Sequence, residues 1–315
     1  MTSIRDFGGE FKLIDEITKP GGAVVGVGDD AAVLKYKKDK YLLFTTDMLC
    51  EGDHFRRNWS TPYQIGVKSM EANVSDIAAM GGLPTYAVVS ISLTNDMTVE
   101  YMKQLYRGMY SVAKRYNYKI VGGDTTHSKT MTINVAMLGV VEKKLLSLRS
   151  DAKVGDLICV TGDLGKSMAG LKLLLRDVKG DVRAHLMPKC RLHEAREIAR
   201  YCNAMIDVSD GLASEVNHIC SQSNVGAIVY GEKIPISKAT SASAKKLGDD
   251  PVDYALNGGE DFELTFTVPK EKLGKIEVNC PITVVGEILP KDKGSRISYN
   301  RQIKPLTGGF NHFKP

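Results

Sequence analysis

The chain has six cysteines (Cys50, Cys159, Cys190, Cys202, Cys220, Cys280) and no C-x-x-C pair among them, so neither a disulfide framework nor a thiolate zinc site is written into it. Free thiols are expected. Histidine is also scarce: His54, His127, His185, His193, His218 and His312 are dispersed, without zinc-ligand spacing. No apolar run approaches the roughly 18 residues that a membrane helix needs, and the longest, Ala87 to Leu93, is strand-length. The opening MTSIRDFGGEFKLIDEI mixes both charge signs, unlike a signal or transit peptide, and a cytoplasmic location is expected. Charge of one sign is lacking too. The 42 Lys+Arg against 37 Asp+Glu leave +5 over 315 residues, too little for a nucleic-acid scaffold. Short-period repeats, low-complexity tracts and heptad runs are absent from the sequence.

What is present is a globular composition, 43% hydrophobic and 25% charged, long enough for two domains. β-branched and aromatic runs predict strands at 23–34 and 41–47. Ile65, Met70, Val74 and Ile77 recur at helical spacing over 62–80, and Gly81-Gly82 with Pro84 stops that helix. Strand 85–93, helix 98–116, strand 118–121 and strand 131–141 follow. Around SLRSDAKVGD (147–156) the chain turns polar, which places a boundary between domains 1–147 and 148–315. The second unit is predicted to contain strands 157–161, 204–208, 226–230, 262–268 and 282–288, with helices at 165–177, 191–202, 211–222 and 237–247. The fold class is α/β, with an α+β-like cast, in two α/β domains.

Three strings resemble nucleotide or metal motifs and fail in detail. GVGDDA (Gly26 to Ala31) fits G-x-G-x-x-A, but AAVLKYKK follows as a strand, where a dinucleotide site needs a helix, and two carboxylates would face the pyrophosphate. TGDLGKS (161–167) ends like a phosphate-binding loop, yet Val160 stands where its first glycine belongs. HEAREI (193–198) has Glu197 where a zinc protease needs its second histidine.

A set of acids survives. Asp29-Asp30, Asp47, Asp76, Asp124, Asp207, Asp210 and Glu260-Asp261 sit in apolar or glycine-rich surroundings. Any one of them is as well explained by a solvated turn. As a set they differ, because Asp47, Asp124 and Asp207 each end an apolar strand-like run, where α/β sheets hold ligands. With Thr45, Thr46, Thr125 and Ser209 nearby, the donors suit a hard cation such as Mg²⁺, which takes carboxylates, waters and substrate phosphates. Asp76 falls in the last turn of helix 62–80, where the helix dipole disfavours an anion. A cation partner is expected there, or Lys68 as a plain salt bridge. Gly122-Gly123 before Asp124 would admit phosphates to the backbone, or simply make a tight turn.

GVGDDAAVL, FTTDMLCEGDHF, ANVSDIAAMGGLP, IVGGDTT, LRSDAKVGD, MIDVSDGLASE, LNGGEDFEL and the terminal GGFNHF occur in this order, and the whole resembles the thiamine-monophosphate kinase family. The wider superfamily, with aminoimidazole ribonucleotide synthetase and selenophosphate synthetase, shares only the general layout. The resemblance implies ATP-dependent phosphorylation of thiamine monophosphate to thiamine diphosphate, in a homodimer paired through the N-terminal domains. It implies Mg²⁺ ligands at Asp30, Thr45, Thr46, Asp47, Asp76, Asp124, Asp207 and Asp210, with Asp124, Asp47 and Asp210 nearest the chemistry. It implies nucleotide contacts at Gly123, Arg149, Ser209 and, more loosely, Tyr106, and substrate contacts at His54, Glu260 and Phe310. Family members often carry Trp or Tyr at the last position; Phe310 would stack on a heterocycle but donate no hydrogen bond. Whether Asp29 ligates or only supports Asp30 stays open.

A substrate phosphate monoester, with a second pKa near roughly 6, is largely ionised at neutral pH and needs no general base. Direct in-line transfer without a phosphoenzyme is therefore expected. The alternatives are another ATP-dependent synthetase of the superfamily, a Mg²⁺-dependent phosphatase, or a nucleotide sensor without turnover. Selenophosphate synthetase would need a reactive Cys in the N-terminal glycine-rich region, and the first cysteine is Cys50.

Overall fold

The computed structural model describes residues 10–18 and 21–310. His312 and the rest of the terminal motif after Phe310 lie outside them. Two sheets organise the chain. After helix α1 (Glu10–Ile17) come β1 (Ala32–Lys35), β2 (Lys40–Cys50), α2 (Pro62–Ala79), β3 (Leu83–Leu93), α3 (Val99–Arg115), β4 (Lys119–His127) and β5 (Thr132–Glu142). Their strands lie in the order β1-β2-β5-β3-β4, antiparallel except for the parallel pair β3 and β4.

The second unit runs β6 (Leu157–Thr161), α4 (Lys166–Leu175), α5 (Arg183–Leu186), α6 (Leu192–Ile198), β7 (Ala204–Asp207), α7 (Leu212–Ser223), β8 (Gly226–Tyr230), α8 (Lys238–Leu247), α9 (Pro251–Asn257), β9 (Leu264–Val268), α10 (Lys270–Leu273), β10 (Ile282–Leu289), β11 (Ser295–Tyr299) and β12 (Gln302–Pro305). Its seven strands lie in the order β12-β11-β8-β10-β6-β9-β7, and only β11 and β8 pair in parallel. The fold is α/β in composition, with sheets that are mostly antiparallel.

Helix α2 is the spine of the site. Thr61 caps it in a reciprocal box, its hydroxyl accepting from the Gln64 N–H while the Gln64 side chain accepts from the Thr61 N–H, and Pro62 opens the first turn. It is buried almost all round, because the first sheet, α3 and the second unit each cover part of it. Where α2 crosses α3, a Cβ on Gly66 would collide with the Leu105 carbonyl and one on Gly108 with the Tyr63 carbonyl. Each helix thus offers its glycine to the other's backbone, and nothing larger fits.

The predicted strand 23–34 is realised only at its end, as β1, with isolated bridges at Val25 and Val27. β4 outruns the four residues predicted for it and carries the strand straight through Gly122-Gly123-Asp124. α5, α9, α10, β11 and β12 have no counterpart in the sequence reading. α5 and α10 are single turns, and β11 with β12 is a short hairpin at the sheet edge.

Candidate active site

Period-two geometry sorts the FTTD run of β2: Thr45 is buried and Thr46 exposed. The Thr45 hydroxyl donates to the Asp76 carboxylate at 2.5 Å and also reaches the Asp30 carbonyl at 3.2 Å. The backbone N–H of Asp47 donates to the Asn73 side chain at 3.2 Å. Asp76 reaches this place from the last turn of α2, and Asp207 from the end of β7 in the second unit, where the Ser75 hydroxyl holds it at 2.5 Å. Asp30, Asp76 and Asp207 each bring one carboxylate oxygen within 4.8 Å of the others.

These acids crowd one another. Burial first, then the Asp30 charge, raises Asp29 to about 7, against the pull of Arg149. Burial, with Asp30 and Glu260, lifts Asp47 to about 6. Asp76 and Asp207 are pushed well above the carboxylate range, by burial and then by neighbouring carboxylates. Arg149 is the cation built into the group: its guanidinium pairs with Asp30, and its backbone N–H donates to Asp29 at 3.2 Å. One arginine cannot satisfy them all, and the buried Asp30 Oδ2 accepts no hydrogen bond. A set of oxygen donors in excess of its protein cations, with an orphaned carboxylate oxygen at its centre, fits Mg²⁺.

Beside this group opens a cavity of about 260 Å³. Asp47, Ser209 and Asp210 line it together with His54, Lys68, Glu260 and Phe310, among apolar walls that include Leu49, Met168 and Phe262. The imidazole of His54 accepts the Cys50 N–H at 3.2 Å and so closes its own turn while lining the cavity. Glu260 stands at φ 65, in the left-handed region, with its N–H donated to the Ser209 carbonyl at 2.8 Å.

The structure thus gathers Asp30, Thr45, Asp47, Asp76, Arg149, Asp207, Ser209, Asp210, His54, Glu260 and Phe310. The other predicted residues lie apart in the single chain. Thr46 faces the far side of the first sheet, where its hydroxyl donates to the Val135 carbonyl at 3.0 Å. Asp124 and Gly123 are exposed on the edge strand β4. Asp124 pairs in register with the outward-facing Ser90, and Gly123 lets β4 pass close to the Val89 carbonyl. Tyr106 is half-buried on α3 beside Tyr110. Of the three acids expected to end strands, only Asp207 does; Asp47 and Asp124 lie inside β2 and β4. Lys68 does not pair with Asp76; its ammonium reaches Glu260 at 2.7 Å, 192 positions away.

Lys68, Ser75 and Glu215 carry weight that the sequence reading missed. Buried Glu215 accepts the Asp210 N–H at 2.8 Å, and its position inside MIDVSDGLASE was the available signal. The other motifs settle as ordinary structure. The N-terminus of α4, in TGDLGKS, is filled by the Asp261 carboxylate, which accepts from Gly165 N–H and, at 2.9 Å, from Ser167 N–H. A phosphate would find those donors taken. Lys166 pairs with Glu263, His193 lies beside Tyr116, and all six cysteines are free.

Residues 28–141 match the family model described as AIR synthase related protein, N-terminal domain, and residues 153–298 match the C-terminal domain of the same family. The thiamine-monophosphate kinase of Aquifex aeolicus (strain VF5) is 40% identical over 313 residues, covering 97% of this chain and 98% of its own length. That of Bacillus subtilis (strain 168) is 36% identical, covering 97% and 99%. The solved structure of AaThiL complexed with AMPPCP and TMP superimposes with a TM-score of 0.90 at 35% identity, over 99% of each chain. Hydrogenase maturation protein HypE in complex with ATP, at 18% identity and a TM-score of 0.74, shares the fold. Matched in both domains and over nearly its full length, the chain belongs to the thiamine-monophosphate kinase family of AIR synthase related proteins.

Proposed function

We propose that this chain transfers the γ-phosphoryl group of ATP to the phosphate of thiamine monophosphate, yielding thiamine diphosphate. One observation carries the reading. Asp47, Ser209 and Asp210 share a single cavity with His54, Glu260 and Phe310. Oxygen ligands for a phosphate-bound cation therefore lie beside a carboxylate and an aromatic ring suited to a cationic heterocycle.

Asp30, Asp76 and Asp207, with Asp47, Asp210 and Thr45, would hold Mg²⁺, several ions in all, and Asp124 and Thr46, which lie apart in the single chain, would join them only across a subunit interface. Bound Mg²⁺ supplies neutralisation of the charge on donor and acceptor phosphates. The protein's own work is positioning. The acceptor phosphate is already ionised at neutral pH and needs no base. The imidazole of His54 is engaged by the Cys50 N–H and that of His185 lies against the Ser167 hydroxyl. In-line transfer without a phosphoenzyme follows from this reading, because the acceptor phosphate oxygen is itself the nucleophile.

Arg149 and Ser209 would contact the nucleotide, with Gly123 and Tyr106 reaching it only across a subunit interface, and His54, Glu260 and Phe310 would contact the substrate. The N-terminal domain, 1–147, brings most of the metal ligands and the C-terminal domain, 148–315, completes the pocket. A homodimer belongs to the same reading, because the outer face of the first sheet exposes Phe44, Met48, Tyr86 and Val88 and Asp124 sits on that sheet's edge. Free thiols throughout fit a cytoplasmic setting.

The test is a product assay with ATP, Mg²⁺ and thiamine monophosphate, with free thiamine as control. One ADP and one thiamine diphosphate per turnover are expected, and free thiamine should be left unconverted. ADP formed equally without thiamine monophosphate, or diphosphate made from free thiamine, would overturn the reading.

A further inference from the structure

Lys68 lies on α2 with 2% of its surface exposed, and a buried ammonium is tolerated only where its protons find acceptors. It finds two. Its Nζ donates to the Glu260 carboxylate at 2.7 Å and to the backbone carbonyl of His54 at 2.7 Å. The first partner comes from the second unit and the second from the turn after β2, so one side chain ties together two loops that line the cavity.

The Glu260 loop is held on its other flanks as well. Its backbone is bound to Ser209 and Val208 through the N–H groups of Glu260 and Phe262, and both residues stand in the left-handed region, at φ 65 and 48. His185, buried, places Nδ1 at 3.5 Å from the same Glu260 Oε2 and at 3.2 Å from the Ser167 hydroxyl. Lys68 and His185 therefore both approach Oε2, and neither takes Oε1.

Charge decides which neighbour matters. Burial works to raise Glu260, but Lys68 leads the opposing charges and the carboxyl sits below its usual range. Burial and the Lys68 charge lower His185 to about 4, so at neutral pH it is uncharged. Among the described residues Lys68 is the leading positive charge on this carboxylate, ahead of His185 and His54.

We propose that Lys68 is the positioning residue of the substrate subsite, holding the Glu260 carboxylate by Oε2 with Oε1 turned to the cationic ring of the substrate. The inference rests on the function proposed above and adds to it the group that makes the subsite select a cation.

The experiment is steady-state kinetics of Lys68→Met, Lys68→Arg, Glu260→Gln and the double variant Lys68→Met/Glu260→Gln. Substrates are ATP with thiamine monophosphate or its 3-deaza analogue, whose ring is uncharged. For Lys68→Met the KM for thiamine monophosphate should rise about 10- to 100-fold, the scale of a lost charge-assisted hydrogen bond. The KM for ATP and kcat should stay within about threefold, and preference over the neutral analogue should shrink about tenfold or more. Lys68→Arg should recover most of the loss. If Lys68→Met does not fold, the double variant, which leaves no buried charge unpaired, serves in its place. Its KM should equal that of Glu260→Gln within about threefold, because Lys68 acts through Glu260. An unchanged KM in Lys68→Met, a fall in kcat alone, or a double variant tenfold worse than Glu260→Gln overturns the inference. In each case the wild type remains active on thiamine monophosphate, whereas an inactive wild type overturns the function reading and this inference with it.

Discussion

Asp76 meets the Thr45 hydroxyl, the carboxylates of Asp30 and Asp207, and no protein cation of its own among the described residues. Asp76→Asn keeps the shape and the hydroxyl bond and removes one buried negative charge. Without Mg²⁺ the variant should therefore melt above the wild type. Excess Mg²⁺ should stabilise the wild type by roughly 1–3 kcal/mol through binding linkage and leave the variant nearly unchanged. Activity should fall about a hundredfold or more. Equal magnesium shifts in the two melting curves would refute the assignment of Asp76. Arg149 answers to a different assay. Arg149→Ala should raise the KM for ATP about tenfold or more while moving that for thiamine monophosphate little; an unaltered ATP saturation curve would remove Arg149 from the nucleotide side. Away from the acid cluster, burial lifts Asp261 to about 7. The folded protein then binds the proton more tightly than the unfolded chain, whose carboxyl titrates near 3.8. Between about pH 4 and pH 7 the native state holds more protons, so stability falls as pH rises through that window. Asp261→Asn should flatten this slope of melting temperature against pH, and an identical slope would contradict it.

Among the elements, α2 concentrates what the sequence could and could not reveal. Its bounds were legible from Ile65, Met70, Val74 and Ile77 and from the Gly81-Gly82 stop, because a buried stripe writes its period into the chain. The partners of its polar residues were not legible: the spacing offered Lys68 to Asp76 on its own helix, whereas it pairs with Glu260, 192 positions away. β4 shows the opposite failure. Gly122-Gly123-Asp124 has the composition of a turn, but Gly123 passes so close to the Val89 carbonyl that only glycine permits the parallel pairing, and the strand continues. Of the acid set, Asp30, Asp76 and Asp207 converge and Asp47 and Asp210 line the cavity, whereas Asp124 lies apart on β4 and Asp261 caps α4. The α2 and α3 crossing supplies an element-scale prediction. Gly66→Ala must push the helices apart against the Leu105 carbonyl, and overpacking of this kind costs about 1–3 kcal/mol or more. A melting temperature within a degree of wild type would show that the crossing yields more easily than drawn.

At the scale of the whole molecule, the first sheet buries one face on α2 and leaves Phe44 46%, Met48 54%, Tyr86 50% and Val88 41% exposed on the other. A contiguous apolar face of this kind marks an association surface, and a second copy of the chain is the occupant proposed above. Val88→Glu, on that face, should shift the protein from dimer to monomer in sedimentation velocity, while each subunit keeps its melting transition within a few degrees. Persistence of the dimer would place the contact elsewhere. Because Asp124 lies on the edge of this sheet, the monomeric variant should also lose turnover, and a fully active monomer would contradict a role for that edge.

Lys68 and Ser75 are seven positions apart on α2, two turns that return to one stripe and span about 10 Å at the rise of an α-helix. From that stripe Lys68 grips Glu260 and Ser75 grips Asp207. The helix is in effect a ruler laid across the second unit, and its pitch sets the spacing between Glu260 and Asp207. A single residue inserted between the two marks would turn one grip through about 100° and lengthen the gauge by 1.5 Å. Changes in substrate length should therefore be answered in the loops around the ruler and not in the ruler itself.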